Sequence, residues 1–330
     1  MSEKRPTISV IVPAYNVEKY IEATVESIFG QTEPFHEVII INDGSTDKTR
    51  EKLESYTKQD RITIIHTPNR GLGLSRNEGL QFASGDLVYF LDSADLIPSN
   101  FVEQVVGIFR ERPNIDLLLF SGEIFFDDGD EDDRVEERWK AKGFYRRVNG
   151  IYPSGLDAAA ALLETGIFAP NASLYVSRRN LWNEELHFQP TVHEDDAVIT
   201  QLCFKAKTTC IADQAFYKHR IRTGSTMNTK TSRRNSDGYF AALRSTWRTY
   251  RAASNPPHRS IILHQFRAQA SQYLNACRQA GILPRPAELL FLLKRWKTVP
   301  KSDFLRTVVP TRAYKWIRNG KKLLTSGVTR

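Results

Sequence analysis

Three hydrophobic runs early in the chain each stop at polar or acidic residues. They are Ile8-Ser9-Val10-Ile11-Val12-Pro13-Ala14-Tyr15-Asn16, Val38-Ile39-Ile40-Ile41-Asn42-Asp43-Gly44-Ser45 and Leu87-Val88-Tyr89-Phe90-Leu91-Asp92-Ser93-Ala94-Asp95. A continuous apolar strand belongs in a sheet covered on both faces. Helical periodicity separates the runs. Tyr20, Ile21, Val25 and Ile28 mark a helix within 18–31, Ser45 or Thr46 can cap one from about Asp47, and Gly71-Leu72-Gly73 opens one that runs to about Ala83. Residues 61–66 read as another strand, Pro98-Ser99-Asn100 as the start of a helix to Arg112, and 115–120 as a further strand. This alternation predicts a parallel sheet with right-handed crossovers. Ligand sites in open α/β sheets lie at the carboxyl ends of the strands, so the polar tips mark a binding rim.

The rhythm then breaks. An acidic run over 127–133 lacks calcium-loop spacing and reads as a solvated loop. A helix over 156–164, a short strand at Leu174-Tyr175-Val176, a helix over 194–205 and short strands over 208–211 and 215–219 follow. Beyond about Lys230 the pattern is helical, with breaks at Asn255-Pro256-Pro257, Pro284-Arg285-Pro286 and Pro310. Charge divides the 330-residue chain: 218–330 holds 24 basic against 3 acidic residues, and the rest holds 22 against 35. An acidic front half is a poor nucleic-acid binder, whereas the basic part suits an anionic partner. Cys203, Cys210 and Cys277 have neither zinc spacing nor a disulfide framework, which fits a reducing compartment. No apolar signal core precedes the first strand, and no apolar run approaches ~18 residues. The expected location is the cytosol, or a membrane surface reached from the cytosolic side.

The segments Val10-Ile11-Val12-Pro13-Ala14-Tyr15-Asn16, Asn42-Asp43-Gly44-Ser45-Thr46-Asp47, Asn69-Arg70-Gly71 with Arg76-Asn77, and Leu91-Asp92-Ser93-Ala94-Asp95 follow one another in the order and spacing of family 2 glycosyltransferases. His193-Glu194-Asp195-Asp196 resembles that family's later acidic motif, and Arg220-Ile221-Arg222-Thr223-Gly224-Ser225 its closing element. The resemblance covers roughly 6–228. It implies a GT-A fold (a Rossmann-like, mostly parallel sheet flanked by helices) and an inverting enzyme that uses a nucleotide-activated sugar. The donor is expected to be a UDP-sugar and the acceptor a surface polysaccharide, lipid-linked glycan or teichoic-type polymer at a bacterial inner membrane. The expected catalytic domain is 1–228, with a nucleotide-binding half over about 6–126 and an acceptor half over about 150–228. A basic helical region, 229–330, follows it.

The resemblance also assigns roles. Asp43 accepts from uracil N3–H, since an ionised carboxylate only accepts. Pro13, Ala14 and Tyr15 wall the base and ribose, Asn69 and Ser93 join the donor site, and Asp92 holds the ribose. Arg76, after a glycine-rich helix start, suits the diphosphate, its bland alternative being an exposed helix-face arginine. Arg222 and Ser225 complete the donor set. Asp195 is the base and Glu194 supports it or orients the acceptor, although acidic residues also simply favour a helix N-terminus. His193 reads as scaffold.

Sugar transfer from a diphosphate usually employs Mg²⁺ or Mn²⁺ held by carboxylates. The family string is Asp-Ser-Asp-Asp, but here Ala94 stands at its third position, and a methyl group coordinates nothing. Asp92, Asp95 and His219 are the remaining candidate ligands. Three outcomes stay open: weaker metal binding, transfer assisted by Arg76, Arg222 or His219, or a non-catalytic relative that keeps the nucleotide pocket. In the basic region, Leu289-Leu290-Phe291-Leu292-Leu293-Lys294-Arg295-Trp296-Lys297 and the segment 314–322 set apolar residues beside cations, as in a helix on an anionic membrane surface. A helical bundle with a solvated basic face fits equally, and no nucleic-acid-binding module is present.

Overall fold

The computed structural model describes residues 5–126, 145–221 and 231–308. The acidic run, Arg222, Ser225 and the segment 314–322 lie outside them. The chain divides into two compact units, Met1–Thr229 and Lys230–Arg330.

In the first unit the apolar runs form β1 (Ile8–Ala14), β2 (Glu37–Asp43) and β4 (Leu87–Phe90), with β3 (Ile62–Thr67) preceding β4. Between them lie α1 (Ile21–Phe29), α2 (Thr49–Glu54) and α3 (Leu72–Phe82). Then come α4 (Phe101–Glu111), β5 (Ile115–Phe126), β6 (Gly150–Tyr152), α5 (Gly155–Glu164), β7 (Tyr175–Arg178), α6 (Glu194–Lys205) and β8 (Thr208–Ile221). Every residue of β1 and β4 is buried, as continuous hydrophobicity demands, whereas the edge strand β3 is half-exposed. Ile8, Val10, Val12, Ile40, Tyr89 and Phe101 anchor the core.

The eight strands form one sheet in the order β3-β2-β1-β4-β7-β5-β8-β6. The β3-β2-β1-β4 half is parallel, as the alternation predicts. Two departures shape the other half. β7 inserts between β4 and β5 antiparallel to both, and β6 lies antiparallel to β8. Because β7 runs against its neighbours, it begins at the rim where they end, and its lead-in residues reach the strand tips. The second departure is that 208–211 and 215–219 form one strand, not two. β8 pairs with β5 along its length, and register shifts around Ser121 absorb the unpaired Asp213, Gln214 and Phe216. An extra residue in a ladder bends the strand, and beyond this irregularity β8 carries Tyr217 and His219.

The second unit contains α7 (Arg233–Ala252), α8 (Pro256–Gln279), α9 (Pro286–Leu293) and α10 (Lys301–Val308). The prolines at 256 and 286 open helices, because a first-turn residue needs no amide hydrogen for the ladder. Leu243, Phe266, Tyr273, Leu274 and Leu292 form its core. Among the described residues no helix is long and apolar enough to cross a membrane. All three cysteines are free and buried.

Candidate active site at the strand tips

β1 and β2 end side by side, with Ala14 opposite Asn42, so Tyr15 and Asp43 stand at neighbouring tips. Hydrogen bonds lace the two turns: the Asn16 amide donates to Ser45 Oγ at 3.1 Å and the Thr46 amide to Asn16 Oδ1 at 2.8 Å. Asp43 is buried, and its two oxygens accept the amides of Arg70 at 2.8 Å and Gly71 at 2.7 Å. Gly44 permits this approach. Its φ is +70°, and a Cβ there would stand 2.6 Å from the Asn69 nitrogen. Asn69 is exposed beside it. Pro13 and Ala14 are buried within β1; of that trio Tyr15, 48% exposed, presents surface.

Close backbone approach also seats α3. A Cβ on Gly73 would lie 2.5 Å from the Gln189 carbonyl oxygen, so only glycine lets the helix reach the chain leading into α6. Four residues on, the Asn77 side chain donates to the Phe188 carbonyl at 2.8 Å and accepts its amide at 2.9 Å. Arg76 lies between these two anchors and is 0% exposed. Its Nη1 donates to Glu194 Oε1 at 2.8 Å and Asp195 Oδ1 at 2.6 Å, and its Nη2 to Asp92 Oδ1 at 2.9 Å. The guanidinium carbon is 5.0 Å from the Phe188 ring centroid. Burial opposes the charge, but Asp195, Asp92 and Glu194 outweigh it and hold Arg76 above its ordinary pKa. It is therefore no exposed helix-face residue: the structure surrounds the expected diphosphate cation with carboxylates.

Glu194, Asp195 and Asp196 occupy the first turn of α6, where the helix dipole favours negative charge. His193 turns the chain into the helix in a left-handed conformation, φ 61°, and burial lowers its imidazole pKa. Burial pushes Asp195 up to about 8 against the pull of Arg76, with Glu194 and Asp92 adding to the rise. Burial likewise raises Glu194, which Arg76 opposes, and takes Asp196 to about 7 with help from Asp195. The Asp92 side chain remains 29% exposed and that of Asp195 19%, while Glu194 sits behind them. Two carboxylates from distant parts of the chain thus share one guanidinium and both keep a surface to offer.

The expected metal ligands are not assembled. Asp95 is buried, its Oδ1 accepting the Arg220 amide at 2.8 Å and its Oδ2 the Tyr217 hydroxyl and His219 Nδ1. Its own carbonyl accepts Thr24 Oγ1 at 2.9 Å. Asp95 and His219 therefore latch the 92–95 turn to β8. Ser93 and Ala94 are buried, and the Ala94 carbonyl accepts Arg220 Nε at 2.8 Å. The Asp92 side chain keeps 29% exposure and that of His219 16%, and among the described residues no three His, Cys, Asp or Glu side chains converge as a metal centre. Among the described residues the side chains do not by themselves form a Mg²⁺ or Mn²⁺ site.

Three residues of this site carry no motif. Ser173 Oγ accepts the Asp92 amide at 3.3 Å, Phe188 floors Arg76, and Tyr175 is fully buried, its phenol held well above its usual pKa by burial and by Asp195. A cavity of about 240 Å³ beside Val38 and Arg61 lies at the opposite end of β2 from Asp43.

Residues 9–161 match the family described as Glycosyl transferase family 2, and the chain carries a domain of that family. Among curated proteins, glycosyltransferase GlyG of Streptococcus pneumoniae serotype 4 is 27% identical over 68% of this chain and 73% of its own length. The minor teichoic acid biosynthesis protein GgaB of Bacillus subtilis is 27% identical over 71% of this chain and 25% of its own length. The match spans about a third of the curated relatives EpsH and EpsJ of Bacillus subtilis, 35% and 29% of their lengths. The crystal structure of S. aureus TarS 1–349 in complex with UDP-GlcNAc shares the fold with a TM-score of 0.64 at 21% identity, over 82% of this chain and 79% of that one. Mannosyltransferase PcManGT of Pyrobaculum calidifontis, in complex with GDP-Man and Mn²⁺, gives 0.55 at 17% identity, over 98% and 81%. The fold is GT-A.

Proposed function

We propose that the chain is an inverting glycosyltransferase that moves a sugar from a UDP-sugar to a hydroxyl of a cell-surface polymer. The observation that carries this reading is the meeting of Asp92, on the strand-tip rim, with Asp195, at a helix start, both partly exposed and both bound to one guanidinium. In the transfer the acceptor oxygen bonds to the anomeric carbon as the bond to the diphosphate oxygen breaks. The acceptor proton passes to Asp195, and the electron pair leaves with the nucleotide. A base works best with a pKa near the working pH, and burial raises Asp195 towards that range. Asp43 holds the uracil: Oδ1 accepts the Arg70 amide and the Thr67 hydroxyl, and Oδ2, which accepts the Gly71 amide, retains a lone pair for N3–H. Asp92 holds the ribose, and Tyr15 covers the base. Glu194 supports Asp195.

TarS in complex with UDP-GlcNAc supports a nucleotide-sugar donor, and GgaB, named for minor teichoic acid biosynthesis, supports a polymeric acceptor. A screen of nucleotide sugars for hydrolysis, with and without Mn²⁺, tests the reading. UDP release from at least one UDP-sugar is expected. A protein that binds no UDP by calorimetry and turns over no nucleotide sugar is not this enzyme.

In the same reading 1–228 is the catalytic domain, and the basic helical region faces an anionic membrane surface. Leu290 and Leu293, three residues apart on α9, are exposed, as are Leu283 before the helix and Lys294 and Lys297 after it. Vesicles containing phosphatidylglycerol should sediment the protein and neutral phosphatidylcholine vesicles should not, with Leu290→Ser/Leu293→Ser weakening the binding. Equal recovery with both vesicle types removes the membrane assignment.

A further inference from the structure

We propose that Arg76 is a positioning residue that fixes the Glu194–Asp195 pair against Asp92 and does not touch the donor diphosphate. The proposal rests on the reading of Asp195 as the base. A side chain with 0% exposure cannot meet a phosphate without first leaving its partners, and Arg76 has three carboxylate partners within 2.9 Å. Its two terminal nitrogens divide the work: Nη1 bridges the pair on α6, and Nη2 reaches the carboxylate at the tip of β4. The planar fork of a guanidinium can satisfy carboxylates in these separate directions, whereas an ammonium is a point charge.

The surroundings serve the same placement. Gly73 admits the chain before α6 to within contact of α3, Asn77 clamps Phe188 by two hydrogen bonds, and the Phe188 ring closes over the guanidinium. Phe188 is itself wedged, edge-on to Phe90 at 5.1 Å and stacked on Trp182 at 5.2 Å. The separation of base and donor carboxylate is therefore set by a buried cation on a rigid helix. Misplacing a reacting group by about 1 Å can cost on the order of 100-fold in rate, so the residue acts on turnover through Asp195.

The test compares Arg76→Lys and Phe188→Leu with the wild type, measuring UDP affinity by calorimetry and hydrolysis of UDP-GlcNAc, or of the UDP-sugar turned over fastest in the screen. The expected result is a kcat lowered about 100-fold in Arg76→Lys and less in Phe188→Leu, with UDP affinity and donor KM changed far less than kcat in both. A weakened UDP affinity with kcat maintained places the guanidinium on the diphosphate and overturns the proposal. If Arg76→Lys does not fold, Phe188→Leu decides by the same split, since it retains the charge and alters only its seat. A wild-type protein that binds UDP but is not slowed by either variant also overturns it. One that binds no UDP and turns over no nucleotide sugar removes the underlying reading instead.

Discussion

At the residue scale the site is governed by burial against charge. At Asp195 burial, reinforced by Glu194 and Asp92, prevails over Arg76 and pushes the carboxyl up to about 8. A base must be ionised, so hydrolysis of the donor should rise with pH through an apparent pKa near 8. That value belongs to the coupled cluster. A kcat/KM profile flat from pH 5 to 9 would exclude this base. Ala94 makes a second prediction. It is buried between Asp92 and Asp95, and its carbonyl is held by Arg220. Ala94→Asp adds a carboxylate to an acidic, desolvated turn, so it should lower stability by about 1–3 kcal/mol. Mn²⁺ should restore the thermal midpoint in the variant more than in the wild type. Equal melting of the two proteins with and without Mn²⁺ would show that position 94 does not face the acidic rim. The motif residues were legible because they stand in register in the sequence. The place of Arg76 was not, because its partners lie 16, 118 and 119 positions away and no local pattern encodes that meeting.

At the element scale, α3 is the part on which the site depends. Its two contacts with the chain before α6, at Gly73 and Asn77, fix where its arginine stands. Gly73→Ala drives a methyl group into the Gln189 carbonyl, which should cost about 1–3 kcal/mol in urea unfolding and slow donor turnover together. Unchanged stability and rate would mean that this approach is looser than the geometry states. Apolar runs and helical periods made β1, β2, β4 and α1 readable, since each is a local pattern. The orientation of β7 and the continuity of β8 were not, because both depend on pairing with β4 and β5 from elsewhere in the chain. A three-residue apolar stretch such as Leu174-Tyr175-Val176 carries no direction of its own.

At the scale of the whole molecule, the buried acids should leave a signature in stability. Glu194, Asp195 and Asp196 all have folded-state pKa values above their ordinary ones. Above the ordinary carboxylate range, about 4, the native state binds more protons than the unfolded chain until these groups ionise. Their contribution to stability is therefore full at the acid end and is lost as pH rises, through about 7 for Asp196 and about 8 for Asp195, with Glu194 acting in the same direction. Asp196→Asn should flatten the fall measured by urea unfolding between pH 5 and 8, and an unaltered slope would remove Asp196 from this account. The division of charge along the chain was legible from composition alone, while the exposed leucine face of α9 required the packing of Leu292 and Glu288 inward. The central claim is that the carboxylate-tipped sheet holds a nucleotide sugar while Asp195 takes the acceptor proton. Its most direct test pairs UDP affinity with donor turnover in the wild type and Asp195→Asn. The account predicts similar UDP affinity in both proteins and turnover confined to the wild type; comparable turnover by Asp195→Asn would contradict it.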